Sequence, residues 1–306
     1  MAGLAPAPSL DGFYSFQSPA KINFSLKIGR RESNGLHRIF SFIRAIGIFD
    51  KISFRLAHEG YTIKVIPGET LKNSKIKYDL GSLENDGNLA IRAAKIFFEK
   101  IMDAPRGLNV TIEKNIPLKG GLGGGSSNAG SMLKFLNKLF NNPLNGKELL
   151  KIAVELGSDV PFFLTEEGAV VSGFGEKIYK IKEELPFYHI VVLIPNFGVA
   201  TAEAYANFDD FLLTNNLNYY NIQFLDFKKM RFENDFEAVI FNKYPILKEM
   251  KDSFISEGAD ISLLSGSGSS IFGAFKNKES AEMYLDKLKS FPFNDRVILS
   301  ILTTTL

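Results

Sequence analysis

A run of small residues near the middle of the chain could bind an anion. Residues 120–130 include six glycines, and Ser126, Ser127 and Asn128 add two hydroxyls and an amide. Glycines let backbone N–H groups approach an anion closely. The apolar spacing from residue 129 to 140 predicts a helix directly afterwards, whose positive N-terminal end would favour phosphate. Ser126 or Ser127 is the expected N-cap, and a flexible surface turn is the alternative to phosphate binding.

Two common phosphate loops do not fit this run. A P-loop ends in Gly-Lys followed by Ser or Thr, whereas Gly125 is followed directly by Ser126. A dinucleotide-binding fingerprint needs a βαβ unit with an acidic residue about 20 residues further on, and a second helical pattern follows here instead. The HRD and DFG motifs of protein kinases are also missing from the sequence.

A carboxylate that could act as a base follows this second helical pattern. The pattern from residue 146 to 156 predicts a helix that ends before Gly157, and Asp159 comes two residues later with Pro161 close behind. Such a carboxylate is also typical of a helix start, so Asp159 is either an N-cap or a catalytic group. The residues on either side of 173–176 predict a hairpin.

The elements before the glycine run are mostly predicted strands. Residues 22–28 alternate, with one apolar face for a core and one polar face directed at solvent or a ligand; the polar residues are Lys21, Asn23, Ser25 and Lys27. His37 is expected in or beside a loop, as an exposed or a ligand-binding residue. Residues 39–48, 52–56 and 61–66 predict further strands, and Asn88 is a candidate helix cap.

The composition indicates a soluble protein with a small ligand. The chain has 306 residues, enough for two domains, and a net charge of +2 argues against nucleic-acid or membrane partners. The absence of cysteine excludes disulfides and thiolate chemistry, and three scattered histidines argue against a histidine metal site. Neither a signal peptide nor an apolar run of about 20 residues is evident, so we expect a cytoplasmic protein.

The chain is predicted to divide near residues 184–186, into domains 1–186 and 187–306. The second domain has the strand and helix order of a ferredoxin-like α+β sandwich. Within it, residues 234–237 are typical of a capping box at a helix start.

Several motifs together resemble the GHMP kinase superfamily, over nearly the whole chain. They are Ser18-Pro-Ala-Lys-Ile-Asn23, Gly35-Leu-His37, residues 117–129, Leu156-Gly-Ser-Asp-Val-Pro-Phe-Phe163 and Leu264-Ser-Gly-Ser-Gly268. The resemblance implies an α+β, two-domain GHMP kinase fold. Its N-terminal domain would bind ATP and be similar to ribosomal protein S5 domain 2, and its ferredoxin-like C-terminal domain would bind the substrate.

The resemblance also implies a reaction. The glycine run and the first motif are similar to members that use ATP and Mg²⁺ to phosphorylate the C2 hydroxyl of a cytidine diphosphate-linked methylerythritol, in the non-mevalonate isoprenoid precursor pathway. Asp159 matches the family's catalytic aspartate, the general base, and Lys21 matches the lysine beside it. The favourable charges of a nearby cation and helix terminus would keep the aspartate ionised.

The remaining site residues come from the same resemblance. The nucleotide would contact Asn88, Lys119, Gly120, Gly121, Leu122, Gly123, Gly124, Gly125, Ser126 and Ser127, with Ser127 also holding the metal. The substrate would contact Asn23, His37, Thr201, Tyr205, Gly266 and Ser267, with Tyr205 stacking on cytosine. The alternative for residues 201 and 205 is a helix start with a core tyrosine.

The chain departs from the family pattern at two positions. Leu36 stands where tyrosine is usual, so one half of the cytosine sandwich is aliphatic, and Lys119 stands where a small residue is usual. The alternatives are another GHMP kinase of the homoserine or mevalonate type, or a nucleotide-binding regulator that has lost its chemistry. The expected assembly is a monomer or a homodimer.

Overall fold

Six strands from the first part of the chain form one sheet. The computed structural model describes residues 8–101, 106–165, 168–181, 184–215, 218 and 231–306. The strands are β1 (Phe13–Arg31), β2 (His37–Ala57), β3 (Glu59–Pro67), β4 (Arg106–Lys114), β5 (Gly168–Gly173) and β6 (Lys177–Lys180). Their order is β3-β4-β2-β5-β6, with β1 paired to β2, and the β3–β4 pair alone among these pairs is parallel. The predicted hairpin is the β5–β6 pair.

Strand β2 is continuous, so the prediction of separate strands at 39–48 and 52–56 is wrong. Its first part pairs with β5 and its last part with β4, while β1 pairs along its length. The polar residue Asp50 does not end the strand. Its fully buried carboxylate accepts the backbone N–H groups of Asn115 and Ile116, each at 2.8 Å, so its charge is satisfied inside the sheet.

Helices cover this sheet with their apolar faces. They are α1 (Glu69–Lys72), α2 (Leu89–Lys100), α3 (Gly124–Leu139) and α4 (Gly146–Leu156). The prediction for α4 is confirmed, and Asn145 forms a capping box with Glu148 at its start. The buried side chains of α2 and α3, such as Phe97 and Leu133, join those of β1, β2 and β4 in one large core.

The second sheet has four antiparallel strands with the order β10-β7-β9-β8. The strands are β7 (His189–Pro195), β8 (Ile261–Leu264), β9 (Ile271–Phe275) and β10 (Val297–Thr304). Its helices are α5 (Thr201–Thr214), α6 (Glu237–Lys243), α7 (Pro245–Ser256) and α8 (Lys278–Lys287). The ferredoxin-like order predicted for this half is confirmed. No helix in the described ranges has both the length and the apolar character needed to cross a bilayer.

The polar face of β1 is buried, so the alternative of a solvated outer face is wrong. Lys21, Asn23, Ser25 and Lys27 are all 6% exposed or less. The second half of the chain covers this region: Leu26 pairs with Asn234, and Leu26 and Ile28 belong to the core of the second sheet. The predicted capping box at residues 234–237 is also wrong. Helix α6 has Phe236 as its N-cap, without a side-chain cap, because the Asn234 amide bonds to Phe236 N and Leu264 O and the Asp235 carboxylate accepts from Ile28 N.

Candidate active site

A cleft of about 540 Å³ lies where β1 and β2 meet α5 and the loop after β8. Of the residues predicted for the site, those that line it are Lys21, Asn23, His37, Gly121, Ser126, Asp159, Thr201, Tyr205, Gly266 and Ser267. Asn88, Lys119, Gly120, Leu122, Gly123, Gly124, Gly125 and Ser127 do not line it. The cleft therefore brings together the predicted catalytic pair and the predicted substrate residues, with part of the glycine run at one side.

Lys21 and Asp159 form an ion pair in this cleft. The Lys21 Nζ atom lies 3.5 Å from Asp159 Oδ2, and the lysine side chain is 4% exposed whereas that of the aspartate is 39% exposed. The N-cap alternative for Asp159 is wrong: the short 3₁₀ helix Pro161–Leu164 has Val160 as its N-cap and no side-chain cap bond. The carboxylate is thus free of a capping role and lines the cleft.

A chain of hydrogen bonds holds the lysine in place. Lys21 Nζ donates to Asn23 Oδ1 at 2.8 Å, and Asn23 Nδ2 donates to Ser41 Oγ at 2.8 Å. Ser41 donates in turn to the backbone oxygen of Ser25 at 2.6 Å. Sequence reasoning missed Ser41; the signal that could have identified it is a polar residue in the middle of the otherwise apolar stretch 39–43 of β2.

Helix α3 begins at Gly124, earlier than predicted. Gly123 is the N-cap and has a left-handed φ of +71°, without a side-chain cap bond, so the prediction of Ser126 or Ser127 as N-cap is wrong. The left-handed residue turns the chain into the helix before the serines, which lie in its first turn. Because no side chain caps α3, its first N–H groups are available to an anion.

The hydroxyl of Ser127 is fully buried beneath the loop. It donates to the backbone oxygen of Pro19 at 2.5 Å and lies 2.6 Å from Ser18 Oγ. These contacts fasten the start of α3 to β1. In the described part of the chain, no three His, Cys, Asp or Glu side chains come together as a metal site. The role of Ser127 as a metal ligand stays a prediction.

The glycine loop is in close contact with the loop after β8. Gly121 has a φ of +74°, and a Cβ atom on it would lie 2.0 Å from the backbone oxygen of Ser265. Ser265 Oγ donates to Gly121 O at 3.0 Å, and Ser270 N donates to Gly120 O. Only glycine at position 121 allows this approach of two backbones.

A buried cation lies at the start of α3. A Cβ atom on Gly124 would be 2.7 Å from Lys114 Nζ, and that ammonium pairs with the buried carboxylate of Asp50. Burial lowers the pKa of Lys114, against the opposing influence of Asp50. Sequence reasoning missed this pair because the partners lie on different strands.

The other predicted nucleotide residues lie around the loop. Lys119 is exposed and has a φ of +57°, and its Cβ lies beside Gly198 of the second half. Asn88 is the N-cap of α2, as predicted: its side chain accepts from Ala90 N at 3.0 Å and donates to Leu83 O at 3.1 Å. The next residue, Leu89, faces Gly125. The nucleotide contacts of Lys119 and Asn88 stay predictions.

His37 and Tyr205 form an aromatic wall that lines part of the cleft. The ring of His37 stacks on that of Tyr205, with centroids 4.8 Å apart and an angle of 13°. His37 Nδ1 donates to Gly29 O at 3.0 Å, and its Nε2 lies 3.3 Å from Asp209 Oδ2. His37 is therefore buried, and the exposed-loop alternative is wrong. Sequence reasoning missed Asp209, although it follows Tyr205 at the four-residue spacing that places two side chains on one helix face.

The surroundings of Tyr205 keep its phenol neutral. Burial, and after it the negative charge of Asp159, raises the pKa of Tyr205. Thr201 Oγ1 lies 3.0 Å from Ser267 Oγ, which ties the start of α5 to the loop after β8. Leu36 lines the cleft and is 55% exposed, so an aliphatic side chain stands at the cleft mouth.

Comparisons with known proteins point to one family. Residues 88–167 match the GHMP kinases N terminal domain, and residues 220–293 match the GHMP kinases C terminal domain. A 4-diphosphocytidyl-2-C-methyl-D-erythritol kinase of Syntrophus aciditrophicus is 36% identical over 268 residues, which are 87% of this chain and 91% of the relative. The kinase of the same name from Chloroherpeton thalassium is 35% identical over 271 residues, 86% of this chain and 89% of that one.

Solved structures point to the same family. A crystal structure of 4-(cytidine 5'-diphospho)-2C-methyl-D-erythritol kinase is similar with a TM-score of 0.71 and 26% identity, over 95% of this chain and 98% of that one. A homoserine kinase from Cytophaga hutchinsonii has a TM-score of 0.68 at 18% identity, over 99% of this chain and 97% of that one, which speaks for the fold alone. The two-domain GHMP kinase fold predicted from the sequence is confirmed.

Proposed function

The chain belongs to the 4-diphosphocytidyl-2-C-methyl-D-erythritol kinases of the GHMP kinase family, and on that premise we propose how it acts. It transfers the γ-phosphoryl group of ATP to the C2 hydroxyl of a cytidine diphosphate-linked methylerythritol, as a step of the non-mevalonate route to isoprenoid precursors. Residues 1–186 supply the ATP site and residues 187–306 complete the substrate site. The observation that carries this proposal is the Lys21–Asp159 pair beside the glycine loop in one cleft.

In this proposal Asp159 is the general base. Its carboxylate accepts the proton of the attacking hydroxyl, a role that contributes about 10²- to 10⁴-fold to rates in enzymes generally. The ammonium of Lys21, held at 3.5 Å from that carboxylate, stabilises its negative charge and that of the transferring phosphoryl group. Asn23 keeps the ammonium in position by accepting one of its hydrogen bonds. The two groups therefore act as a unit.

The glycine loop suits a polyphosphate. The uncapped first turn of α3 and the left-handed residues Gly121 and Gly123 offer backbone N–H groups, which position the phosphates of ATP. Phosphoryl transfer relies mainly on such positioning and on charge stabilisation. Magnesium on these phosphates would neutralise their charge. Ser126 has a hydroxyl oxygen that lines the cleft and would hold the ion, whereas Ser127 would first have to release Pro19.

The aromatic wall supports a cytidine-containing substrate over a small one. The ring of Tyr205 lines the cleft with His37 stacked on it, and such an aromatic surface suits stacking on a base. Homoserine and mevalonate carry no base to use such a wall. A regulator without activity would have no use for the Lys21–Asp159 pair, which argues against that alternative.

A three-substrate assay tests this proposal. The purified protein is incubated with ATP, Mg²⁺ and either the cytidine diphosphate-linked methylerythritol, homoserine or mevalonate, and new phosphomonoesters are followed by ³¹P NMR. We expect turnover with the cytidine substrate alone. Turnover with homoserine or mevalonate instead would reassign the substrate, and ATP binding without any turnover would favour the regulator.

The variant Asp159→Asn tests the base separately. It keeps the shape of the side chain, so ATP affinity measured by calorimetry should stay within about threefold while kcat falls by about 10²- to 10⁴-fold. A kcat close to that of the wild-type enzyme would remove Asp159 from the mechanism.

A further inference from the structure

The segment Glu233–Asp235, which we name the bridging segment, joins β1 to the second half of the chain. Leu26 N donates to Glu233 O at 2.8 Å, and Asp235 N donates to Leu26 O at 3.0 Å. Lys27 Nζ pairs with Glu233 at 2.8 Å and with Asp235 at 2.9 Å. The segment therefore lies along the same strand that carries Lys21, five residues earlier in β1 than Leu26.

Asn234, in the middle of the bridging segment, uses its whole amide. Its side chain is buried, its Nδ2 donates to Leu264 O at 2.8 Å and to Gly266 O at 2.7 Å, and its Oδ1 accepts from Phe236 N at 3.0 Å. Two carbonyl oxygens on one side and one N–H on the other fix the orientation of this amide. A carboxylate of the same shape would face two carbonyl oxygens, and an alanine would leave three buried backbone groups unpaired.

The residue that Asn234 holds, Gly266, lies beside Lys21 of the catalytic pair. A Cβ atom on Gly266 would be 3.3 Å from Lys21 Nζ and 3.6 Å from Asn23 Oδ1, and its φ is +57°. Its neighbours Ser265 and Ser267 bond to Gly121 and Thr201 respectively. The Asn234 side chain therefore fixes the Gly266 backbone, and that backbone covers the Lys21 ammonium on the side that faces the second half of the chain.

We propose that Asn234 is a positioning residue for phosphoryl transfer. By holding Gly266 O, it keeps the Gly266 backbone against Lys21, and so keeps the ammonium between Asn23 and Asp159. Asn234 itself does not line the cleft. The role in turnover rests on the function proposed above, whereas the effect on the position of Lys21 does not depend on which substrate is used.

The test compares Asn234→Ala with the matched control Asp235→Asn. The control lies in the same bridging segment and weakens the Lys27 pair and the bond from Ile28 N, yet leaves the bonds to Gly266 and Leu264 intact. Both variants are assayed below their measured Tm. We expect Asn234→Ala to lower kcat by about ten- to a hundredfold with KM for ATP changed less than threefold, because small misplacements of reacting groups cost that much. Asp235→Asn should lower Tm and leave kcat within twofold.

A spectroscopic measurement separates positioning from stability. With ¹⁵N-labelled lysine, the Nζ resonance of Lys21, assigned with Lys21→Arg, should move in Asn234→Ala and stay in place in Asp235→Asn. If kcat falls equally in both variants, or if the resonance does not move in Asn234→Ala, the positioning role is overturned. If the wild-type enzyme fails to phosphorylate the cytidine substrate but the resonance moves as expected, the proposed function fails and the positioning of Lys21 stands. If Asn234→Ala does not fold, Asn234→Ser, which keeps a small polar side chain but cannot donate to both carbonyl oxygens, provides the same comparison.

Discussion

Replacing Gly121 with alanine tests whether the contact between the two loops positions the phosphate site. Gly121 has a φ of +74°, a conformation that costs an L-residue about 1 kcal/mol. The new Cβ would lie 2.0 Å from Ser265 O and 3.0 Å from Ser265 C. Both are backbone atoms, and Ser265 N is itself bonded to Ser270 O at 2.9 Å. No side-chain rotation can therefore relieve the overlap, and the glycine loop must move away from the loop after β8.

The size of that movement determines the expected loss of catalytic rate. Contacts of a Cβ atom below 3.0 Å are essentially never found, so a contact of 2.0 Å requires a separation of 3.0 − 2.0 = 1.0 Å at the least. A misplacement of about 1 Å costs on the order of 10²-fold in rate. At about 1.4 kcal/mol for each factor of ten, this is roughly 2.8 kcal/mol of lost transition-state stabilisation. We expect kcat/KM for ATP to fall by about a hundredfold.

Steady-state kinetics with ATP as the varied substrate measures this loss, and Gly258→Ala is the matched control. Gly258 also has a left-handed φ, +90°, but a Cβ there meets nothing within 4 Å. The control should lose about 1 kcal/mol of unfolding free energy in urea and keep its kinetics. If Gly121→Ala is folded and its kcat/KM for ATP stays within threefold of wild type, the loop contact does not position the phosphates and our reasoning is wrong.

Four further variants, at three positions, probe the site. Lys21→Met removes the ammonium beside Asp159, so kcat should fall by about 10²- to 10³-fold while calorimetry still detects ATP binding; a kcat within threefold of wild type would exclude the lysine from the mechanism. Ser127→Ala leaves Pro19 O without its hydroxyl donor and should cost about 1–3 kcal/mol in urea unfolding; an unchanged dependence of the rate on Mg²⁺ would place the metal on other groups. Because the pKa of Tyr205 is raised above its usual value of about 10, Tyr205→Phe should leave the pH–rate profile unchanged up to about pH 9. Tyr205→Ala should raise KM for the cytidine substrate by about tenfold, in line with the usual worth of stacking on a base; a shifted basic limb in the first variant, or an unchanged KM in the second, would contradict this account.

Local features of the site could be predicted from the sequence because they depend on neighbouring residues. The glycine run requires a loop, the spacing after it requires a helix, and residues 146–156 carry an apolar stripe that ends before Gly157. The hairpin of β5 and β6 follows in the same way from two short strands and the turn between them. These motifs also sufficed to identify the family.

The tertiary structure decided what these residues do. The sequence could not predict that the polar face of β1 is covered, since Asn234 and Asp235, which cover it, are about two hundred positions away in the chain. Nor could it predict that Ser127 faces Pro19 or that Asp209 faces His37. Residue types and local spacing fix which groups are available. Burial and hydrogen bonding between distant segments determine which of them face the cleft, because both depend on how the two sheets meet.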